Sequence, residues 1–199
     1  MGTHVSPSVV EQESDSRDRF EVVRRPLTAA EAAEVMERIR TSPHITGYSL
    51  REWTGKRDTF LLRDTASGRV AGALLVHHLL GGWSEIAVVY VFEEHRGHGL
   101  GRLLLEDAVG AIRTSGRKLL LFFSSARMGH IAAGSGFDLH DSEADLTRGS
   151  LSRGLFLGVL YKAQWLASLY RLREIRRKRR TYQASFDFQV AVLMGEGTR

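Results

Sequence analysis

Within seven residues, the run Arg96-Gly97-His98-Gly99-Leu100-Gly101-Arg102 holds three glycines and two arginines. It follows the β-branched, apolar stretch 84–92 and precedes a segment whose Leu100, Leu103, Leu104, Ala108, Ala111 and Ile112 fall at helical spacing. A strand that ends in a glycine turn and feeds a helix gathers unpaired backbone N–H groups and the positive end of the helix dipole in one place, and such a place binds phosphate. Gly97, Gly99 and Gly101 would let an anion reach the backbone with no Cβ in the way, while Arg96 and Arg102 add positive charge beside it. The same glycines would equally serve a tight turn and close helix–sheet packing, so the turn by itself leaves both readings open. Spacing excludes two phosphate motifs. A P-loop needs Lys and then Ser or Thr after its last glycine, where this chain has Arg102-Leu103; the Rossmann turn needs two residues between its second and third glycines, where only Leu100 stands. The pairs His77-His78 and His95/His98 offer no metal site, because neighbours on a strand point to opposite faces and the second pair flanks a turn with no third ligand in view.

Such a turn needs a sheet to hold its strand. Phe20–Arg24 reads as a first short strand, and Thr28 with Glu31 has the spacing of a capping box that opens a helix to about Arg40. Thr59–Arg63 and Val70–Leu79 read as two strands joined by the turn-like 64–68, with Gly81-Gly82 closing the second. The motif strand Ser84–Phe92, the turn and its helix come next. Lys118–Phe123 supplies another strand, a short Gly- and Ala-rich helix or loop runs to Gly136-Phe137, and Phe186–Met194 is the last strand.

At 199 residues and 43% hydrophobic composition, the chain fits one core with tails, and no repeat is visible. Residues 1–19 are polar and charged where a secretory signal would be apolar, so they read as a disordered tail before a single domain over 20–199. The absence of cysteine rules out disulfides, thiolate metal sites and a cysteine nucleophile, and a cytoplasmic location is expected. A net charge of +5 favours anionic partners, small ligands as well as nucleic acid.

The segment from Val91 through Phe92-Glu93-Glu94-His95 to Arg96-Gly97-His98-Gly99-Leu100-Gly101 resembles motif A of the GNAT superfamily of acyl-CoA-dependent N-acetyltransferases. In that motif a strand with valine near its end leads to Arg or Gln, two residues, Gly, one residue, then Gly or Ala; Glu93 replaces the usual proline. The order of elements over about 20–150 and 184–195 is also the family's. The resemblance implies an α/β fold with a mixed, mostly antiparallel sheet flanked by helices, and acetyl-CoA as co-substrate without a metal. Backbone groups around Tyr90 and Val91 would then meet the thioester end, and Arg96, Gly97, His98, Gly99, Leu100, Gly101 and Arg102 the pyrophosphate.

An alkylamine, with a pKa near ~10, must lose a proton before it attacks a thioester. Glu85 stands eleven residues before Arg96, where many relatives carry the acidic base. Strict alternation puts it on one face with Ala87, Val89 and Val91, looking along the acyl channel; its alternative is a solvated glutamate at a strand start. Relatives often place a tyrosine acid five residues before the Phe of Gly-Phe, and here that position is Ala132. Ser125 lies near the usual pantetheine-binding Asn, and Ser125 and His130 are the substitutes for the missing acid within reach of that region.

Between the last two strands the chain inserts a long segment, about 151–183, in which Leu155–Arg180 reads as a helix apolar nearly all round up to Leu172 and ending in Arg176-Arg177-Lys178-Arg179-Arg180. Such a helix packs within the fold or against a second copy. Lying on an anionic membrane, or lining a tunnel for a long acyl chain, are alternatives; a membrane span is excluded by Lys162 and Gln164, and nucleic acid is disfavoured by the lack of a stacking platform. The activity expected is acetyl transfer from acetyl-CoA to a primary amine of a small molecule or peptide. The alternatives are a long-chain acyl-CoA or acyl-carrier-protein N-acyltransferase, and a non-catalytic CoA-binding module.

Overall fold

An unbroken apolar run such as Val70–Val76 has no polar face to turn to water and must be covered on both sides. In the computed structural model, which describes residues 18–43, 45–148, 161, 169–182 and 188–195, that run lies inside a sheet of seven strands. They are β1 (Phe20–Arg24), β2 (Thr59–Asp64), β3 (Val70–His78), β4 (Trp83–Val91), β5 (Lys118–Phe123), β6 (Asp138–His140) and β7 (Gln189–Leu193). Their order across the sheet is β1-β2-β3-β4-β5-β7-β6, and every neighbouring pair is antiparallel except β4 and β5. A parallel pair needs a crossover, and the helix after the glycine turn supplies it. The mixed α/β class and the expected strands are therefore observed.

Two layers of helix cover the sheet. On one face, α3 (Leu100–Arg113) lays Leu104, Leu105, Ala108 and Ile112 against Phe60, Leu62, Leu74 and Ile86, with Ala132 of α4 (Ala126–Gly134) in the same core. On the other face, α1 (Ala29–Thr41) and α2 (Leu50–Gly55) bring Val35, Ile39 and Trp53 onto Leu61, Ala73, Leu75 and Val88. Both helices of this second layer start on complete capping boxes, Thr28 with Glu31 and Ser49 with Glu52. Beside them, Trp83, Leu120, Leu146, Val190 and Val192 form a third cluster, Leu146 coming from α5 (Glu143–Thr147). Neither α2, α5 nor β6 is expected from the sequence; each is only three to six residues long, too short for a period to show.

The described part of the inserted segment is Tyr161 and α6 (Leu169–Tyr182); residues 151–160, 162–168 and 183, like the tail 1–17 and the start of the expected last strand at Phe186, lie outside the described residues. The basic run that ends α6 is not a uniform charged face. Lys178 is fully buried, and its Nζ donates to the carbonyls of Ile39 (2.7 Å), Ser42 (2.6 Å) and Ile45 (2.5 Å), closing the C-terminal end of α1. Burial pushes this ammonium down to about 8, so it still carries its proton at neutral pH, and only the charged form has three N–H groups to give. Arg177 donates to the Arg40 carbonyl at 2.9 Å, while Arg176, Arg179 and Arg180 remain exposed. Replacing Lys178 with methionine keeps the stem but strands three carbonyls, which should cost about 3 kcal/mol and lower Tm by roughly 6–12 °C in a domain of this size. A melting curve that does not move would show that α6 is not fastened there.

Candidate active site

The site begins where two strands part. β4 and β5 are paired from Trp83↔Lys118 to Ile86↔Leu121 and no further, although β4 continues to Val91 and β5 to Phe123. The cause lies in the other neighbour of β4. Leu75 pairs with Val88 and Val76 with Ile86, so Ala87 is an extra residue, a bulge that bends the strand and raises its twist. Beyond it the strands diverge around a cavity of about 650 Å³, which runs from the glycine turn past Val89 and Phe123 to Glu85.

The bulge also corrects the expected alternation. Val89 and Val91 pack with Ile86 on the α3 side, whereas Ala87, Val88 and Tyr90 belong to the α1 side. Glu85 pairs across the strands with His77, whose ring meets that of Tyr48 in the α1-side core, so Glu85 shares a face with Ala87 but not with Val89 or Val91. It reaches the cavity because the bulge opens the sheet there.

At the other end, Gly97 (φ +97°) and Gly99 (φ +72°) hold left-handed backbone that an L side chain rarely adopts. Gly99 is the N-cap of α3, with no side chain capping it and no acidic residue in the first turn, so the helix start presents positive potential and is open to an anion. Gly101 is less constrained, since a Cβ there would only touch Val91 at 3.9 Å. Arg96 donates to the Val91 carbonyl at 3.1 Å and lies 5.6 Å over the Tyr90 ring, which fixes the turn to the end of β4; Arg102 pairs with Glu106 at 2.7 Å. Among the residues expected to hold CoA, Tyr90 and Val91 at the thioester end and Arg96, Gly97, Gly99, Leu100, Gly101 and Arg102 at the pyrophosphate all line the cavity, and so does Ser125, the N-cap of α4. His98 does not: it is exposed and off the wall.

Glu85 is no solvated strand end, being only 5% exposed. Its Oε1 accepts a hydrogen bond from the Tyr161 hydroxyl at 2.7 Å, and its Oε2 faces His77 Nδ1 at 3.6 Å. Behind His77, Nε2 lies 3.7 Å from Oε1 of Glu52, whose Oε2 is held by the Ser49 backbone N–H (2.8 Å) and hydroxyl (2.7 Å). The capping box of α2 therefore anchors the chain of groups that ends at Glu85. Tyr48 closes the side of the cavity by donating to the bulge carbonyl of Ala87 at 2.6 Å. His78 points away, to Ser84 and Asp58, so the two adjacent histidines do not converge.

The candidate acids fare differently. Ala132, at the position of the missing tyrosine, is fully buried and its carbonyl accepts from Phe137 N–H; of the two substitutes, Ser125 lines the cavity whereas His130 is exposed and off its wall. The residues missing from the sequence reading are Tyr48 and Tyr161. Tyr161 stacks on Phe122, with centroids 5.1 Å apart and planes at 22°. Its one available signal is that a tyrosine inside an apolar helix face needs a partner for its hydroxyl.

An uncapped helix start joined by one cavity to a buried, hydrogen-bonded carboxylate can hold a phosphate-bearing donor at one end and accept a proton at the other. The acetyltransferase (GNAT) family model matches residues 27–129. Comparison with curated protein sequences finds no significant match. Among solved structures, Rv2747 from Mycobacterium tuberculosis, in complex with CoA, aligns with TM-score 0.58 at 13% identity, over 87% of this chain and 98% of that one. The ribosomal-protein-S18-alanine N-acetyltransferase from Escherichia coli gives 0.55 at 16%, over 90% and 99%. N-acetylglutamate synthase from Neisseria gonorrhoeae, complexed with coenzyme A and N-acetyl-glutamate, gives 0.56 at 16% over 88% of this chain; the chain spans only 35% of that protein's length. At such identities these structures show a shared fold, and the family match spans just over half of the 199 residues, so the chain belongs to the acetyltransferase (GNAT) family.

Proposed function

We propose that the chain transfers an acetyl group from acetyl-CoA to a primary amine, as one acyltransferase domain over 20–199. The observation that carries this reading is the single cavity that joins the open start of α3 to buried Glu85 through the parting of β4 and β5. In it, the turn from Arg96 to Arg102 binds the pyrophosphate, without the His98 side chain. Backbone groups of β4 around Tyr90 and Val91, beyond its last pair with β5 at Ile86, meet the thioester end, and Ser125 on the α4 side contacts the pantetheine arm. Glu85 takes the proton from the attacking amine. Two of these structural neighbours are named for acetylation of amino groups, of glutamate in one and of an alanine of a ribosomal protein in the other, which supports an amine acceptor. The alkylamine needs that base because it is mostly protonated at neutral pH.

Thiol release from acetyl-CoA and from palmitoyl-CoA, measured against a panel of amino acids, polyamines and N-terminal peptides, tests the reading. Acetyl-CoA should turn over with at least one amine, and palmitoyl-CoA more slowly. Turnover confined to palmitoyl-CoA would move the chain to long-chain acyl transfer; CoA binding without any turnover would make it a binding module.

A further inference from the structure

We propose that Tyr161 is the acid of this transfer and that it works with Glu85 as one proton relay from the amine to the departing sulfur; the inference rests on the acetyltransfer reading above. Ala132 of α4 lies inside the core and has no side-chain proton to give. Tyr161, contributed by the inserted segment, stands on the wall of the same cavity as Glu85. Its ring is held flat against Phe122 of β5, on the strand that borders the opening, and its hydroxyl is held by Glu85 Oε1 at 2.7 Å. His77 and, behind it, Glu52 stand against the other carboxylate oxygen, Oε2, which leaves Oε1 to the phenol, and both Glu85 and Tyr161 line the cavity. A buried carboxylate that touches a phenol within a cavity wall has both halves of an acid–base pair in contact.

The relay balances. The amine nitrogen bonds to the thioester carbonyl carbon, and the carbon–sulfur bond breaks with its electron pair on sulfur. Glu85 takes the ammonium proton whose loss frees the nitrogen to attack, and the second proton, lost from nitrogen once the new carbon–nitrogen bond has formed, goes to solvent. Once Glu85 is protonated, the hydrogen bond to the phenol reverses: the carboxyl donates to the phenol oxygen, and the phenol O–H turns to protonate the sulfur. The Glu85 proton then passes to the phenol oxygen, which leaves amide, free thiol, a carboxylate and a phenol, as at the start.

The simpler role for Tyr161 is to satisfy and hold Glu85, and Tyr161→Phe separates the two. The phenylalanine keeps the stack on Phe122 but removes the phenol's hydrogen bond to Glu85, so Tm should fall by roughly 2–6 °C while CoA affinity by calorimetry stays within twofold of wild type. Turnover with acetyl-CoA and the best amine of the panel should fall about 100-fold, the lower end of what acid–base assistance supplies. The decisive readout is the alkaline limb of the pH–rate profile, where ionisation of a phenol, ordinarily near ~10, removes the acid. That limb should be present in wild type and absent from Tyr161→Phe. Turnover within about threefold of wild type overturns the inference, and so does a slower variant that keeps the limb, because Tyr161 would then only position Glu85. A wild-type protein that releases no thiol with any amine sinks the acetyltransfer reading and Tyr161 with it, whereas an active wild type with an unaffected variant sinks Tyr161 alone.

Discussion

Glu85→Gln is expected to slow acetyl transfer at neutral pH by about 100- to 10,000-fold while CoA affinity stays within about twofold, the range that general-base assistance commonly supplies. Glutamine keeps the size and can still accept the Tyr161 hydroxyl at 2.7 Å, so the cavity wall should hold its shape. What it loses is the capacity to take a proton. Because the carboxylate sits 5% exposed, no bulk water replaces it cheaply at that point of the cavity. Alkaline buffer delivers the amine already neutral, so the deficit should shrink as the pH approaches the acceptor's own pKa, near ~10 for an alkylamine. The measurement is kcat against pH for both proteins with one amine at saturating acetyl-CoA. Near-normal turnover at every pH would remove Glu85 from the chemistry and leave it as a buried partner of Tyr161 and His77.

How much of this site could be read from the chain differs by residue, for physical reasons. The glycine turn was legible because left-handed backbone at Gly97 and Gly99 is a local demand that only a few residue types meet, and it is written at fixed spacing beside a strand and a helix. The run Val70–Leu79 likewise read as a strand, and Thr28 with Glu31 announced the start of α1. The bulge at Ala87 left no such mark. Ala87-Val88-Val89 reads as ordinary β-sequence, and the shift appears only against β3, where Val76 meets Ile86 and Leu75 meets Val88. A one-residue slip turns every later side chain over, which is why Glu85 and Val91 were expected on one face and lie on two.

The inserted segment was the least legible because its partners are distant in sequence. Lys178 sits among four arginines and looks like part of a solvated run, yet the carbonyls it bonds belong to residues more than 130 positions earlier. Tyr161 counted as one more apolar position on a helical wheel, while the group it serves is 76 residues away. Capping and alternation are local and survive in a single sequence; a long-range contact made by an ordinary residue does not.

Gly99→Val is expected to weaken CoA binding at least 100-fold in calorimetry, with the protein still folded. Gly99 holds φ +72° as the N-cap of α3, and valine, branched at Cβ, resists that backbone and adds bulk beside the N–H groups that would face the pyrophosphate. Strain and loss of the anion site must be told apart, and Gly68 allows it. It holds φ +70° with nothing within 4 Å of an added Cβ, in the turn between β2 and β3, and it is not on the cavity wall. Gly68→Val should therefore carry a similar strain, roughly 1–2 kcal/mol or more for a branched residue, and lower Tm by a similar amount. CoA affinity should be untouched in Gly68→Val and lost in Gly99→Val. Equal affinities in the two variants would mean that the turn shapes the fold without holding the pyrophosphate, and the open start of α3 would have to be given another ligand.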